Sequence, residues 1–426
     1  MTRIKIDRLM CFLLVLLIHA VFCLTVESAD SPTGRTFKIS VDRQMWEKWG
    51  FQYPVTYMFD VQGLKADMKV KRRADPSAGW KVLSPKVPAD FFNGDECIRL
   101  DYGRGLVFVS VGFDTNNVIE LEFENTTSVK FAGVARYYDD RKSAYSLSLD
   151  NWGRQAGANP GMPWHGINDD RSDNYQAALC ICRKFNLPVS IAINTCMAGS
   201  NTMWNTMQDE LDRLDFSWEP AVHAQTHPGS AKAYSIRGYN AEILLCRDDI
   251  QRNLRKIPWG SRIFEHILTC GYVDELILNT DAREFLFVRA YNGHDNPSST
   301  DYAAWDTQRG FYGIGGLSTK DYDRVFARRN PKGRFFESDV VELNAAFDAV
   351  YGAGGIFYAM WHPDRYRNSV IYEQCPGRNG TEGSTLVQHL CHVANRKNVW
   401  YVANGWLYSY RYVAEHVSVT TGDPGN

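Results

Sequence analysis

The segment "LPVSIAINTCMAGSNTMWNTMQDELDRLDFSWEPAVHAQTHP", residues 187–228, decides the fold class. "LPVSIAIN" is a β-branched apolar run of strand length. "TMWNTMQDELDRL" has the spacing of an amphipathic helix. "EPAV" is a second, shorter strand that runs straight into His223. A strand, a helix and a strand in so few residues require a parallel pair joined by a crossover. The same alternation continues on both sides. "AYSLSL" precedes it as a strand, and "DNYQAALCICRKFN" reads as a helix with Asp173 as N-cap. Beyond it, "NAEILLCRDDIQRNL" and "SRIFEHILTCGYV" read as helices and "EFLFVRA" as a strand. "SDVVELNAAFDAVYGA" follows as a helix, "GGIFYAMW" as a strand, "TLVQHLCHVANRK" as a helix and "NVWYVA" as the last strand. "GIGG" (313–316) lacks the strand-to-helix setting of a phosphate cradle and reads as loop.

Residues 30–140 are different in kind. "FKISV", "YPVTYMF", "GLVFVSVGF" and "VIELEFE" are strand-like and separated by turn residues, which predicts an all-β sandwich-like domain. The expected organisation is therefore a signal segment (1–29), a β-rich domain (30–140), an α/β layer or barrel (141–416) and a tail (417–426). The signal reading rests on Arg3, Lys5 and Arg8, then the 16-residue apolar run "LMCFLLVLLIHAVFCL" and small residues at Ser28-Ala29. It predicts a secreted or periplasmic protein with no stable membrane insertion after cleavage. Phe22 before Cys23 argues against a lipid anchor. The formal net charge of −2 gives no basic face for a nucleic-acid partner. After cleavage Cys97, Cys180, Cys182, Cys196, Cys246, Cys270, Cys375 and Cys391 remain. An oxidising compartment would allow some of them to pair, with connectivity not readable from sequence. The Cys180–Cys182 pair, inside a helical pattern, reads as buried thiols. Asn125 and Asn379 match the glycosylation acceptor pattern.

Active sites of α/β folds form at the carboxyl ends of the strands. The residues there are Asp150-Asn151, His223 with His227 beyond it, Arg289, and His362. One acid, three imidazoles and a guanidinium on one rim can hold a divalent metal and do acid–base work around it. Taken singly, each has an ordinary reading as turn cap, loop residue or ion-pair partner. The joint placement makes the chemical reading. A zincin is excluded, because Ala224 stands where its glutamate base belongs and Pro228 stops a helix.

Over residues 143–413 this pattern resembles the polysaccharide deacetylase family, the chitooligosaccharide-deacetylase homology domain of carbohydrate esterases. "SLDN" (148–151) occupies the place of its Thr-Phe-Asp-Asp motif, and "HAQTH" (223–227) that of His-Ser/Thr-x-x-His. "VRAYNG" (288–293) matches its arginine motif and "GIFYAMWHP" (355–363) its final histidine motif. The resemblance implies a distorted (β/α) barrel, a divalent metal, most often zinc, and hydrolysis of N- or O-acetyl groups on a polysaccharide or oligosaccharide. By the same resemblance Asp150 is the base and Arg289 orients it. His362 is the acid, and His223, His227 and position 151 bind the metal. Three positions depart from the family pattern. Asn151 replaces an aspartate ligand, Ala224 replaces a hydroxyl residue, and Ala290 follows Arg289 in place of a proline. Asn151 leaves three outcomes: it coordinates through its oxygen, or Asp150 coordinates while Asp169 or Asp170 acts as base, or no metal binds. The alternatives to a deacetylase are a catalytically inactive carbohydrate-binding protein on the same fold and a related carbon–nitrogen hydrolase of a small amide or imide. Trp152, Trp164 and Trp361 fall near the rim, where they either stack on sugar rings or close the core.

Overall fold

The computed structural model describes residues 33–152, 179, 181–196, 201–212, 218–260, 262–291, 300–321, 337–362 and 385–422. Its N-terminal part forms two sheets. The first contains β1 (Thr33–Gly34), β3 (Val55–Gln62), β6 (Ser84–Lys86), β7 (Cys97–Asp101), β8 (Leu106–Val111) and β10 (Ser128–Val134), in the order β1-β10-β3-β8-β7-β6. The second contains β2 (Thr36–Ser40), β4 (Lys69–Arg73), β5 (Lys81–Val82) and β9 (Val118–Glu124). Alternation does its ordinary work here. In β9, Ile119, Leu121 and Phe123 are buried, while the residues between them are partly exposed. The rings of Phe37 and Phe123 from this sheet meet Phe59 from the other at 4.9 and 4.8 Å. A short helix, Arg43–Trp49, interrupts the strands; Asp42 caps it through the Met45 N–H.

The rest of the chain is α/β. Its sheet contains β11 (Ser143–Trp152), β12 (Val189–Ile193), β13 (Trp218–Val222), β14 (Glu265–Ile267), β15 (Phe287–Tyr291), β16 (Trp305–Asp306), β17 (Phe311–Asp321), β18 (Ile356–Trp361) and β19 (Val399–Tyr401). The order is β12-β13-β14-β15-β17-β18-β11-β19, with β16 antiparallel on β17 and every other pair parallel. β11 has β18 on one side; along its other side it pairs first with β19 and then with β12. Pro220 lies inside β13 and lacks an N–H. The ladder from β13 to β14 accordingly narrows to Val222↔His266. Among the described residues no helix is long and apolar enough to cross a membrane.

Four expectations change. Residues 261–273, expected as a helix, hold β14 and a 3-10 turn, Thr269–Gly271. Left-handed residues at Trp259 and Cys270 limit the run to strand length, and its backbone pairs with β15. "GIGG" lies in β17, where Gly313 has φ +135 and a Cβ would meet the Val288 carbonyl oxygen at 2.4 Å. The glycine serves close strand approach, not a loop. "NVWYVA" is followed by a further helix, Asn404–His416. The expected tail supplies β20 (Ser418–Thr421), which pairs antiparallel with β2 and completes the order β20-β2-β9-β4-β5. One core joins the layers: Phe59 and Val109 share a buried cluster with Tyr312, Trp400, Trp406 and Tyr408.

Candidate functional site

The rim is built at interruptions of regular strand. In β11 the register against β12 shifts between Leu149 and Trp152, and Asn151 has φ +78. A bulge re-aims side chains that would otherwise alternate between faces. Asp150 thereby reaches Arg289 and Asn151 reaches His223. In β15 the register against β17 shifts between Val288, which pairs with Gly313, and Ala290, which pairs with Ser318, so Arg289 sits at a second irregularity.

Asp150 accepts from one Nη of Arg289 at 2.7 and 2.5 Å, and both residues are buried. The His362 Nε2 lies 4.0 Å from the Asp150 carboxylate. Burial works against ionisation of Asp150, but the Arg289 guanidinium, bonded to it, outweighs burial and holds the carboxyl below its ordinary range. Asp150 is therefore a carboxylate at neutral pH.

His223 and His227 come from the turn after β13. The backbone is left-handed at Ala224 (φ +59) and His227 (φ +63), which folds the turn back so that the two rings lie 4.9 Å apart. The turn is pinned from both sides. Thr226 donates its N–H and hydroxyl to Glu242, at 2.9 and 2.6 Å, and Gln225 donates to Asp249 at 2.9 Å. Asn194 donates to the Ala224 carbonyl at 3.2 Å and also to that of His223. The His223 Nδ1 lies 2.8 Å from the Ile267 carbonyl, which can only accept, so Nδ1 carries the proton. Burial pushes His223 down to about 3, against the pull of Asp150 and the Ile267 bond. The ring is neutral, and its Nε2 lone pair faces Asn151 Oδ1 at 3.1 Å.

That contact is a fit test for a cation. Two lone-pair atoms facing each other repel unless a positive centre joins them, and an imidazole fixed by a backbone carbonyl is an ordinary metal-ligand arrangement. Among the described residues no three His, Cys, Asp or Glu side chains are grouped to hold a metal; the set here contains two imidazoles and an amide.

The structure thus brings Asp150, Asn151, His223, His227, Arg289 and His362 to one buried rim. Asp169, Asp170, Asp173 and Trp164 lie outside the described residues, as do Cys180, Cys375 and Asn379. Trp152 and Trp361 are each 1% exposed, so they close the core and offer no face to a sugar. Among the described residues Cys97, Cys196, Cys246, Cys270 and Cys391 form no disulfide, and Cys182 is buried. Asn194, Gln225 and Glu242 were not singled out in the sequence. Asn194 ends a strand, the same signal that marked Asp150 and Arg289. Glu242 sits in an ordinary amphipathic helix and gives no such signal.

Beneath the rim lies a second buried polar set. Glu219 of β13 accepts from Ser190 at 3.0 Å and from the Gly405 N–H at 2.8 Å. Glu265 of β14 accepts from the Asn404 amide at 2.9 Å. Each glutamate has a second oxygen with no hydrogen-bond partner among the described residues. Both are pushed up, Glu265 to about 7, by burial; for Glu219 the charge of Glu265 adds to it.

No family model and no curated protein matches the chain. Its neighbours among solved structures include polysaccharide deacetylases and esterases of the CE4 family, and also GH57 branching enzymes from Thermococcus kodakaraensis and Pyrococcus horikoshii. A structure from Mycobacterium smegmatis assigned as a polysaccharide deacetylase has a TM-score of 0.41 at 13% identity, over 69% of this chain and 99% of that one. The catalytic domain of a peptidoglycan N-acetylglucosamine deacetylase from Eubacterium rectale gives 0.32 at 11% identity, over 64% and 94%. A CE4 family pseudoenzyme from Bacillus anthracis gives 0.29 at 10%, over 54% and 67%.

Proposed function

We propose that the chain is an exported, metal-dependent carbohydrate deacetylase that hydrolyses acetyl groups on a polysaccharide or oligosaccharide. The observation that carries this reading is geometric: His223, its Nδ1 held on the Ile267 carbonyl, turns Nε2 to the Asn151 side chain at 3.1 Å, one residue from Asp150 clamped by Arg289. His223, His227 and Asn151 would hold the divalent ion, zinc by donor type. When bound, such an ion lowers the pKa of water and polarises an acetyl carbonyl. Asp150 accepts a proton from the attacking water. Arg289 keeps that carboxylate ionised and fixes its orientation. His362, 4.0 Å from Asp150, delivers a proton to the departing amine or alkoxide. The pairings from β11 through β12, β13, β14, β15, β17 and β18 back to β11 support the distorted (β/α) barrel of the resemblance. We take residues 1–29 as the export signal, 30–140 as the β-rich domain and 141–416 as the barrel.

Asn151 favours a second reading. Its amide turned about places Nδ2 against His223 Nε2 and satisfies both with no ion. The protein would then bind glycan without cleaving it. Acetate release from N-acetylated chitohexaose and O-acetylated xylan separates the readings. The deacetylase reading predicts release that disappears in Asp150→Asn. No release from zinc-loaded protein on either substrate favours the binding protein.

A further inference from the structure

At the opposite end of the strands from the rim, a cavity of about 330 Å³ opens between the N-terminal sheets and the α/β layer. Its size is within the range of small-ligand sites. It lies beside Pro188, before β12, and beside Trp406 in the first turn of the Asn404–His416 helix. Trp259 forms one wall. It is half-buried, its backbone is left-handed (φ +57), and its ring meets Tyr53 edge-on at 5.1 Å. Gly94 keeps the space open: with φ +72, a Cβ there would come within 3.3 Å of the Tyr53 hydroxyl and 3.5 Å of the Trp259 ring. The polar side chains are those of Tyr53, Asn93, Asp95 and Asn186, and Asn93 is already engaged, donating to the Tyr401 carbonyl and accepting from Arg141 at 3.2 Å. Asp95 and Asn186 are exposed at the mouth, and the Tyr53 oxygen accepts from Trp400 Nε1 at 3.0 Å, which leaves its own hydrogen to donate.

Charge decides what such a cavity would take. An anion meets the Asp95 carboxylate beside the Lys86 ammonium and gains little. Lys86 lies 3.5 Å from that carboxylate and already offsets it, so a cation gains little. A wholly apolar ligand would strip water from Asp95 and Asn186 and return no hydrogen bond. A neutral ring with an apolar face and a rim of hydroxyls meets every requirement. It stacks on Trp259, donates to Asp95, and exchanges hydrogen bonds with Asn186 and Tyr53.

We propose that this cavity is a second carbohydrate site, for one neutral pyranose unit of a glycan, separate from the rim and independent of any catalysis there. It would hold a chain by its far side and leave the rim to other residues of the same polymer. Binding of cellohexaose and N-acetylated chitohexaose to protein comprising residues 30–426, by calorimetry, tests it. The cationic glucosamine hexamer and anionic galacturonate hexamer serve as contrasts. Neutral hexamers should bind best. Trp259→Ala should weaken them roughly tenfold, and Asn186→Gly, at an exposed left-handed position, roughly threefold to tenfold. Thermal melts identify any variant that fails to fold, and Asn186→Gly is the surface variant expected to keep its melting temperature. The rim double variant His223→Ala/His227→Ala should bind cellohexaose, which carries no acetyl group, as the parent does. Absence of neutral-hexamer binding, preference for a charged hexamer, or loss of cellohexaose binding in the rim variant with retention in Trp259→Ala would each overturn the proposal.

Discussion

Rim and floor of the same sheet treat buried charge in opposite ways. At the rim, Asp150 meets a guanidinium and stays ionised. At the floor, Glu219 and Glu265 have one serine, one asparagine and one N–H at the start of a helix, and burial pushes them toward the protonated form. The backbone differs in the same sense. Rim residues sit at register shifts and left-handed positions, whereas Glu219 and Glu265 lie in regular parallel ladders. Strain and permanent charge collect where chemistry is expected, and polarity pushed toward its neutral form collects where the sheet is plugged by a helix.

The largest effect should come from breaking the rim's ion pair. Asp150→Asn leaves Arg289 buried without its carboxylate and should cost about 3–5 kcal/mol of stability, read from denaturant unfolding. A loss below 1 kcal/mol would mean that the guanidinium finds solvent. Next is Glu265→Gln at the floor. A carboxyl raised from 4.5 to about 7 binds its proton more tightly in the folded state. Its stability is thus full below pH 4.5, falls as pH rises toward 7, and stays low above that. The fall is about 3 kcal/mol. The variant should match the parent in acid and exceed it at pH 8; an identical pH profile would place the ionised form in the native floor. A smaller and more selective change is Asn151→Asp. Without metal it adds a second buried acid beside Asp150 and should lower the melting temperature. With zinc it should bind on the order of 10–100-fold tighter than the parent. An unchanged zinc affinity would remove position 151 from the ligand set. Smallest is removal of residues 418–426, which deletes β20 from a sheet edge. About 1 kcal/mol should be lost, with hydrogen exchange quickened mainly in β2.

The rim was readable in the sequence because it obeys a positional rule. A polar residue directly after an apolar strand marked Asp150, His223, Arg289 and His362, and all four converge. The floor was not readable. Glu219 and Glu265 lie within short runs whose apolar neighbours dominate the pattern, and "IFEHIL" imitates a helix turn closely enough to be taken for one. Their burial depends on partners far along the chain, Asn404 and Gly405, that no local spacing announces. Gly313 is similar. Its reason is the Val288 carbonyl across the sheet, a contact between strands and not a property of "GIGG". The β20 strand was missed because a four-residue polar edge looks like a tail until its partner β2 is in place.

The central claim is that "HAQTH" and Asn151 form a ligand set. The most direct measurement is zinc per chain in protein comprising residues 30–426, after reloading and desalting, beside His223→Ala/His227→Ala. The account predicts near-stoichiometric zinc in the parent and loss of it in the double variant. A parent that holds no zinc after reloading, or a double variant that holds as much as the parent, would contradict it.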